Sequence, residues 1–153
     1  MYADVESRLL NSSGNIEAVA LRYGFFYGPN TWYCSEGAAA GHVRRRETPI
    51  IGPGEGVWSF VHIEDAAVAT VAALTAPPGV YNIVDDDPST VSRWLPEFAR
   101  WVGAPPPPHL TEREAHELAG DDAVYYGTRL RGASNEKAKK TFNFRPRRLQ
   151  WLK

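Results

Sequence analysis

The chain has 153 residues, 43% hydrophobic and 23% charged, with 17 basic against 18 acidic side chains and a formal net charge of -1. That length carries one domain with a real core, and the charge balance gives no basic excess to hold nucleic acid. The single cysteine, Cys34, excludes an intrachain disulfide and a multi-cysteine zinc site. None of His42, His62, His109 and His116 pairs with another at metal-ligand spacing. No apolar run approaches the ~18 residues of a membrane span, and Met1–Glu6 lacks the apolar stretch of a signal peptide. The expectation is a cytoplasmic protein with no nucleic-acid and no membrane partner.

Tyr2 to Leu10 predicts a helix, because Tyr2, Val5 and Leu9 recur on one face. Asn11-Ser12-Ser13-Gly14-Asn15 is turn chemistry. Ile16 to Phe26 then predicts a buried strand closed by Gly28-Pro29-Asn30, which is how a strand reads when its C-terminal end opens onto a ligand crevice. No strand precedes the first helix, which raises the expectation of truncation.

Ser35 is a candidate cap for the next helix, with Glu36 in its first turn and Arg44-Arg45-Arg46 as its solvated last turn. Pro49-Ile50-Ile51 is a short strand. Gly52-Pro53-Gly54-Glu55-Gly56 has glycines like a phosphate loop, but the strand formers Val57-Trp58-Ser59-Phe60-Val61 follow where a helix would be needed. The segment is therefore read as a flexible loop.

His62-Ile63-Glu64-Asp65 opens a nearly all-apolar helix to Leu74, read as buried on every side, with Pro77-Pro78-Gly79 as its stop. Val80 to Val84 is a further strand, and Asp85-Asp86-Asp87 is read as a solvated turn rather than a cation site. Ser92 caps a helix to about Val102, with Pro96 near its start and Trp94, Leu95, Phe98, Trp101 and Val102 as a core stripe. Pro105 to Pro108 is a polyproline spacer. Thr111-Glu112-Arg113-Glu114 is a capping box for a short helix to about Leu118. Asp121 to Thr128 gives no clear pattern, and Arg131 precedes a capped helix that runs to about Thr141.

Four segments in order resemble the C-terminal half of the extended short-chain dehydrogenase/reductases, the NAD-dependent epimerase/dehydratase family. They are Leu21 to Pro29, Trp58 to Ala67, Gly79 to Ile83, and Arg131 to Ala138 with Phe144 and Pro146. The resemblance implies an α/β fold: a partial Rossmann-like arrangement, with late strands of a doubly wound parallel sheet, plus the small C-terminal α/β substrate lobe. Val19–Phe25 and Val80–Val84 would be sheet strands, and Ser35–Phe60 with Pro105–Lys153 would build the lobe.

By the same resemblance, Tyr23, Gly24 and Phe25 would meet the nicotinamide of an NAD or NADP cofactor. Phe26, Tyr27, Asn30, Trp58 and Arg131 would lie beside a small-molecule substrate, a sugar nucleotide or a related hydroxyl or carbonyl compound. Two residues depart from the sugar-nucleotide pattern: Phe25 stands where relatives often have asparagine, and Trp58 where they often have arginine. The family's chemistry uses a Tyr-x-x-x-Lys pair in which the lysine lowers the tyrosine pKa. Here Tyr2 is followed by Glu6, Tyr23 by Tyr27 and Tyr125 by Arg129. No catalytic residue is assigned. The chain is expected to be a single C-terminal substrate-binding portion over residues 1–153, lacking the cofactor-binding Rossmann portion and inactive alone. Its partner would be a second copy or a separate cofactor-binding half. The alternative is a non-enzymatic relative that self-associates through an open strand edge, or binds a ligand on an aromatic surface of Trp32, Tyr33, Trp58 and Tyr81.

Overall fold

The computed structural model describes residues 2–11 and 17–152. Six helices occur among them: α1 (Tyr2–Leu10), α2 (Ala38–Arg44), α3 (Ile63–Ala73), α4 (Val91–Trp101), α5 (Glu112–Val124) and α6 (Glu136–Phe142). Eight short strands accompany them: β1 (Val19–Tyr23), β2 (Phe25–Tyr27), β3 (Ile50–Ile51), β4 (Val57–Trp58), β5 (Phe60–His62), β6 (Gly79–Ile83), β7 (Ser89–Thr90) and β8 (His109–Leu110). The expected turn at 11–15 and the start of the first strand lie outside the described residues, apart from Asn11.

The long strand expected to Phe26 is two strands with different partners. β1 pairs in parallel with β6, Val19 opposite Gly79 and Tyr23 opposite Ile83. β2 pairs in parallel with β5, Phe25 opposite Phe60. The switch happens at Gly24, whose N–H donates to the Ile83 carbonyl at 3.1 Å while the Phe25 N–H donates to the Ser59 carbonyl at 2.9 Å. A Cβ at position 24 would sit 2.6 Å from the Ser59 oxygen, so the crossing needs glycine. β1 is also less buried than expected. Arg22 and Tyr23 are exposed, because among the described residues β1 pairs with β6 alone.

α3 begins where His62 accepts a hydrogen bond from the Glu64 N–H through Nδ1, at 3.2 Å. Its inner face, through Ala66 and Ala69, packs on the β1/β6 side with Tyr81, Ile83, Ala138 and Phe144. The expectation of burial all round fails on the other face, where Val68, Val71 and Leu74 are exposed. Apolar composition cannot reveal which faces have a neighbour.

The second core belongs to the small lobe and joins α2, α4, β3 and β5 with Tyr27, Leu149 and Trp151. α4, outside the expected lobe segments, is its centre. The stripe Trp94, Leu95, Phe98 and Val102 is buried as read, while Trp101 is partly open. α4 starts at Val91 rather than after Ser92, and its first N–H groups, from Val91 and Ser92, donate to the carbonyls of Gly56 and Gly54 at 2.9 and 3.0 Å. The glycine-rich loop therefore supplies the cap that no side chain supplies. Pro96 lies inside the helix rather than in its first turn. Gly37, not Ser35, precedes α2, and no side chain caps it. The capping box of Thr111 and Glu114 forms as read, but α5 continues past a break at Gly120 (φ +77) into a π-helical turn at Tyr125–Arg129.

Candidate active site

Two concavities lie on either side of the Phe25–Trp58 stack. The first is an open cleft at the C-terminal ends of the parallel strands β1 and β6. It brings together Tyr23, Gly24, Phe25, Ser59, Asn82 and Arg131. Ligands of open parallel sheets bind at such strand ends. Arg131 is exposed, and its guanidinium has no acidic partner among the described residues. A groove beside the cleft holds Phe26 and Asn30, the latter with a left-handed backbone (φ 60).

The second concavity is a cavity of about 730 Å³ inside the small lobe, within the size range of small-ligand sites. Trp32, Tyr33, Trp58, Trp94, Phe98 and Tyr126 contribute rings to its wall, with aliphatic side chains such as Val43, Ile51, Val91 and Leu95 between them. Trp58 is the hub. It stacks on Phe25 with centroids 4.0 Å apart and planes at 21°, meets Trp94 at 5.1 Å and Tyr126 at 5.9 Å, and is held by its indole N–H donating to the Tyr126 carbonyl at 2.8 Å. Such ring pairs contribute about 0.5–1.5 kcal/mol each beyond area burial. Burial pushes the Tyr33 phenol well above its usual range, so it stays protonated at neutral pH.

Of the expected site residues, the structure brings Tyr23, Gly24, Phe25 and Arg131 to the cleft, Phe26 and Asn30 to the groove, and Trp58 to the cavity. Tyr27 is a correction. It is fully buried, its hydroxyl donates to the Arg148 carbonyl at 3.1 Å, and its ring packs on Trp151. Alternation turns it inward while Phe26 faces out. Tyr81 is likewise core rather than aromatic surface, its hydroxyl donating to the Pro77 carbonyl. The turn at Asp85 is not solvated either: Asp85 is buried and its carboxyl is raised to about 7, first by burial and further by the charges of Asp87 and Asp86. Sequence reading missed Tyr126, in a stretch with no period, and Trp94, whose helical spacing marked only core. No group of three His, Cys, Asp or Glu able to hold a metal occurs among the described residues. No helix there is long and apolar enough to cross a membrane.

A model of the NAD dependent epimerase/dehydratase family matches residues 1–84, more than half of the chain. The chain belongs to this family. It is 37% identical over 150 residues to a Streptomyces protein described as 3-diazoavenalumate denitrifying reductase, matching 97% of this chain and 49% of that protein. A functionally unknown protein from Silicibacter pomeroyi has the same fold at TM-score 0.67 and 25% identity, over 92% of this chain and 47% of its own. So does a dTDP-glucose 4,6-dehydratase from Streptomyces venezuelae solved with NAD bound, at TM-score 0.68 and 15% identity, over 97% and 44%. The chain spans about half the length of the relatives it matches.

The family is described by its dependence on NAD. The strand-end cleft is open and polar at Asn82 and Arg131. The tyrosine hydroxyls with a hydrogen bond in the described residues reach Thr70, Arg148 and Pro77, not a lysine.

Proposed function

We propose that this chain is the substrate-holding portion of an NAD(P)-dependent oxidoreductase of the epimerase/dehydratase family, acting at a hydroxyl, carbonyl or comparable electrophilic centre. Tyr23, Gly24 and Phe25 would line the nicotinamide side, where bound cofactor supplies or accepts hydride. The substrate would occupy the aromatic cavity, oriented by the Phe25–Trp58 stack that borders both spaces. The observation that carries this reading is the cavity itself: ligand-sized, contiguous with the strand-end residues through Trp58, and walled mainly by rings and aliphatic groups. The 37% identical relative is described as a denitrifying reductase, which supports an oxidoreductase reading.

A sugar-nucleotide substrate is the second reading. One observation favours it, the unpaired Arg131 in the cleft, a ready partner for a phosphate. Against it stand Phe25 and Trp58, which put stacked rings where a diphosphate would need donors.

The partner completing the site would be either a cofactor-binding half or a second copy of this chain. The single pairing of β1 among the described residues and the exposed Val68, Val71 and Leu74 support such an association. A chain that only self-associates, without catalysis, is the remaining alternative.

The test is a titration of NADH and NADPH followed by amide NMR. Shifts centred on Tyr23, Gly24 and Phe25 are expected, and an absence of shifts there at millimolar cofactor overturns the nicotinamide assignment. Turnover by this chain alone at roughly 1–1000 per second would contradict its being only the substrate-holding portion.

A further inference from the structure

Residues 112–129 fold back on themselves. Glu112 and Arg129 stand 17 positions apart, yet their side chains meet at 3.4 Å. A straight helix over that stretch would hold them about 25 Å apart. The reversal is made at Gly120, whose backbone (φ 77, ψ -172) leaves the helical region between two helical arms. The stretch is thus a helical hairpin with its base at Glu112 and Arg129 and its tip at Gly120.

The base is tied down and the tip is not. In the second arm the carbonyls of Tyr126 and Gly127 accept from the Trp58 indole N–H at 2.8 Å and from the Gly56 N–H at 3.0 Å. In front of the first arm, Leu110 pairs with Ile51 in the β3–β8 ladder. Ala115 and Val124 are buried in one cluster with Ile51. Beyond them, none of residues 116–122 is buried. Among the described residues, the hydrogen bonds and ion pairs of this tip stay within the hairpin, as in Arg113 with Glu117 at 3.4 Å. A segment with so little packing lies at the low end of local stability.

The tip borders the mouth of the lobe cavity, which is half open. The exposed part of the lining comes from two places: Trp32, Arg46 and Glu47 on either side of α2, and Leu118, Ala119 and Tyr126 of the hairpin. Leu118 is 76% exposed and Trp32 is 65% exposed. Each lines the cavity yet stays largely in water, so bringing the two together removes apolar surface from solvent.

We propose that this hairpin is a lid on the lobe cavity: when an apolar ligand enters, the tip moves toward α2 and closes Leu118 against Trp32. Bound ligand favours the closed form because only that form gives it the Leu118 side chain to pack on. Closure expels water from the cavity. The hinges are the element ends at Thr111 and the π-helical turn, a geometry that recurs at functional sites. Gly120 adjusts the angle between the arms, in open space where a Cβ would meet nothing within 4 Å. The inference rests on the reading of the cavity as a ligand seat.

Methyl NMR of this chain, titrated with indole as a neutral ring that fills apolar space, reads the movement. On saturation, new cross-relaxation between the Leu118 methyls and the Trp32 ring is expected. Amide exchange in residues 116–122 is expected to slow about tenfold, with residues 124–129 little changed. Leu118→Ala, at an exposed position on which folding does not depend, should weaken indole about fivefold and abolish the slowing. Val71→Ala, an exposed apolar position on α3 away from the cavity, should change neither.

If indole shifts the Ile51 and Leu95 methyls while Leu118 gains no contact with Trp32, the lid is overturned and the cavity stands as a ligand site. Leu118→Ala binding indole as tightly as the parent overturns the lid as well. If no cavity methyl moves at millimolar indole, the cavity reading fails and the lid fails with it.

Discussion

At the scale of single residues, Gly24 and Asp85 are set by their surroundings in ways that can be measured. Gly24→Ala places a methyl 2.6 Å from the Ser59 carbonyl, against backbone that cannot rotate away. A loss of about 1–3 kcal/mol is expected in urea unfolding, and an unchanged midpoint would contradict the close approach. Asp85 is 2% exposed with one carboxylate oxygen unpaired, and its pKa is raised to about 7 in the fold. A carboxyl raised on folding binds more protons in the native state. Its favourable contribution is thus present below its ordinary pKa near 4 and is lost as pH rises toward 7. Asp85→Asn is expected to flatten the fall in melting temperature between pH 4 and 7 and to stabilise the protein at pH 8. The rise of the carboxyl to about 7 sets the largest difference at roughly 4 kcal/mol. A variant as pH-dependent as the parent in that window would exclude Asp85 as the cause.

At the scale of elements, the chain is tied together by a few long-range contacts. Asp65, in the first turn of α3, accepts from the backbone N–H of Arg147 at 2.8 Å and from its Nε at 2.9 Å, and Glu64 takes the same guanidinium at 2.9 Å. This pins the segment after α6 to α3, and Leu149 and Trp151 then enter the lobe core. Asp65→Asn is expected to cost about 1.5–3 kcal/mol, read as a lower denaturation midpoint together with faster amide exchange in residues 144–152. Loss of the Thr111 cap of α5 is a smaller matter, about 1 kcal/mol for Thr111→Ala.

These elements also show what a sequence gives up easily. α1, β3, β6, α5's start and the stripe of α4 were legible from periodicity and capping residues, because local rules decide them. The split of one strand at Gly24 was not legible, since it depends on the distant Ser59 and Ile83 carbonyls. The exposed outer face of α3 was not legible either, since Val68, Val71 and Leu74 carry no mark of what faces them. For the site, Tyr23 to Phe26, Asn30, Trp58 and Arg131 came from the family resemblance. Trp94 and Arg46 were in view but read as core and as a solvated helix end. Only the fold reveals that, among the described residues, one is a donor without a partner and the other a cation without a counterion.

At the scale of the whole molecule, two larger cores flank the β1–β2 line, and a small third cluster of Ile51, Ala115 and Val124 lies under α5. One of the larger two packs α3 and α6 on the β1/β6 pair. The other is a lobe around α4 that carries a half-open cavity. The strand switch at Gly24 joins them, and Phe25 of the cleft stacks on Trp58 of the cavity. The proposed function places cofactor at the strand ends and substrate in the lobe, on the two sides of this stack.

The most direct measurement is methyl NMR of this chain with indole added. Ring-current shifts are expected at the methyl groups of Ile51, Val91, Leu95 and Leu110, which line the cavity, with Val57, Val84 and Leu130 of the strand-end cleft unmoved. Shifts confined to Val57, Val84 and Leu130 would contradict the account, because the aromatic ligand would then sit in the cleft and the cavity would not be its site.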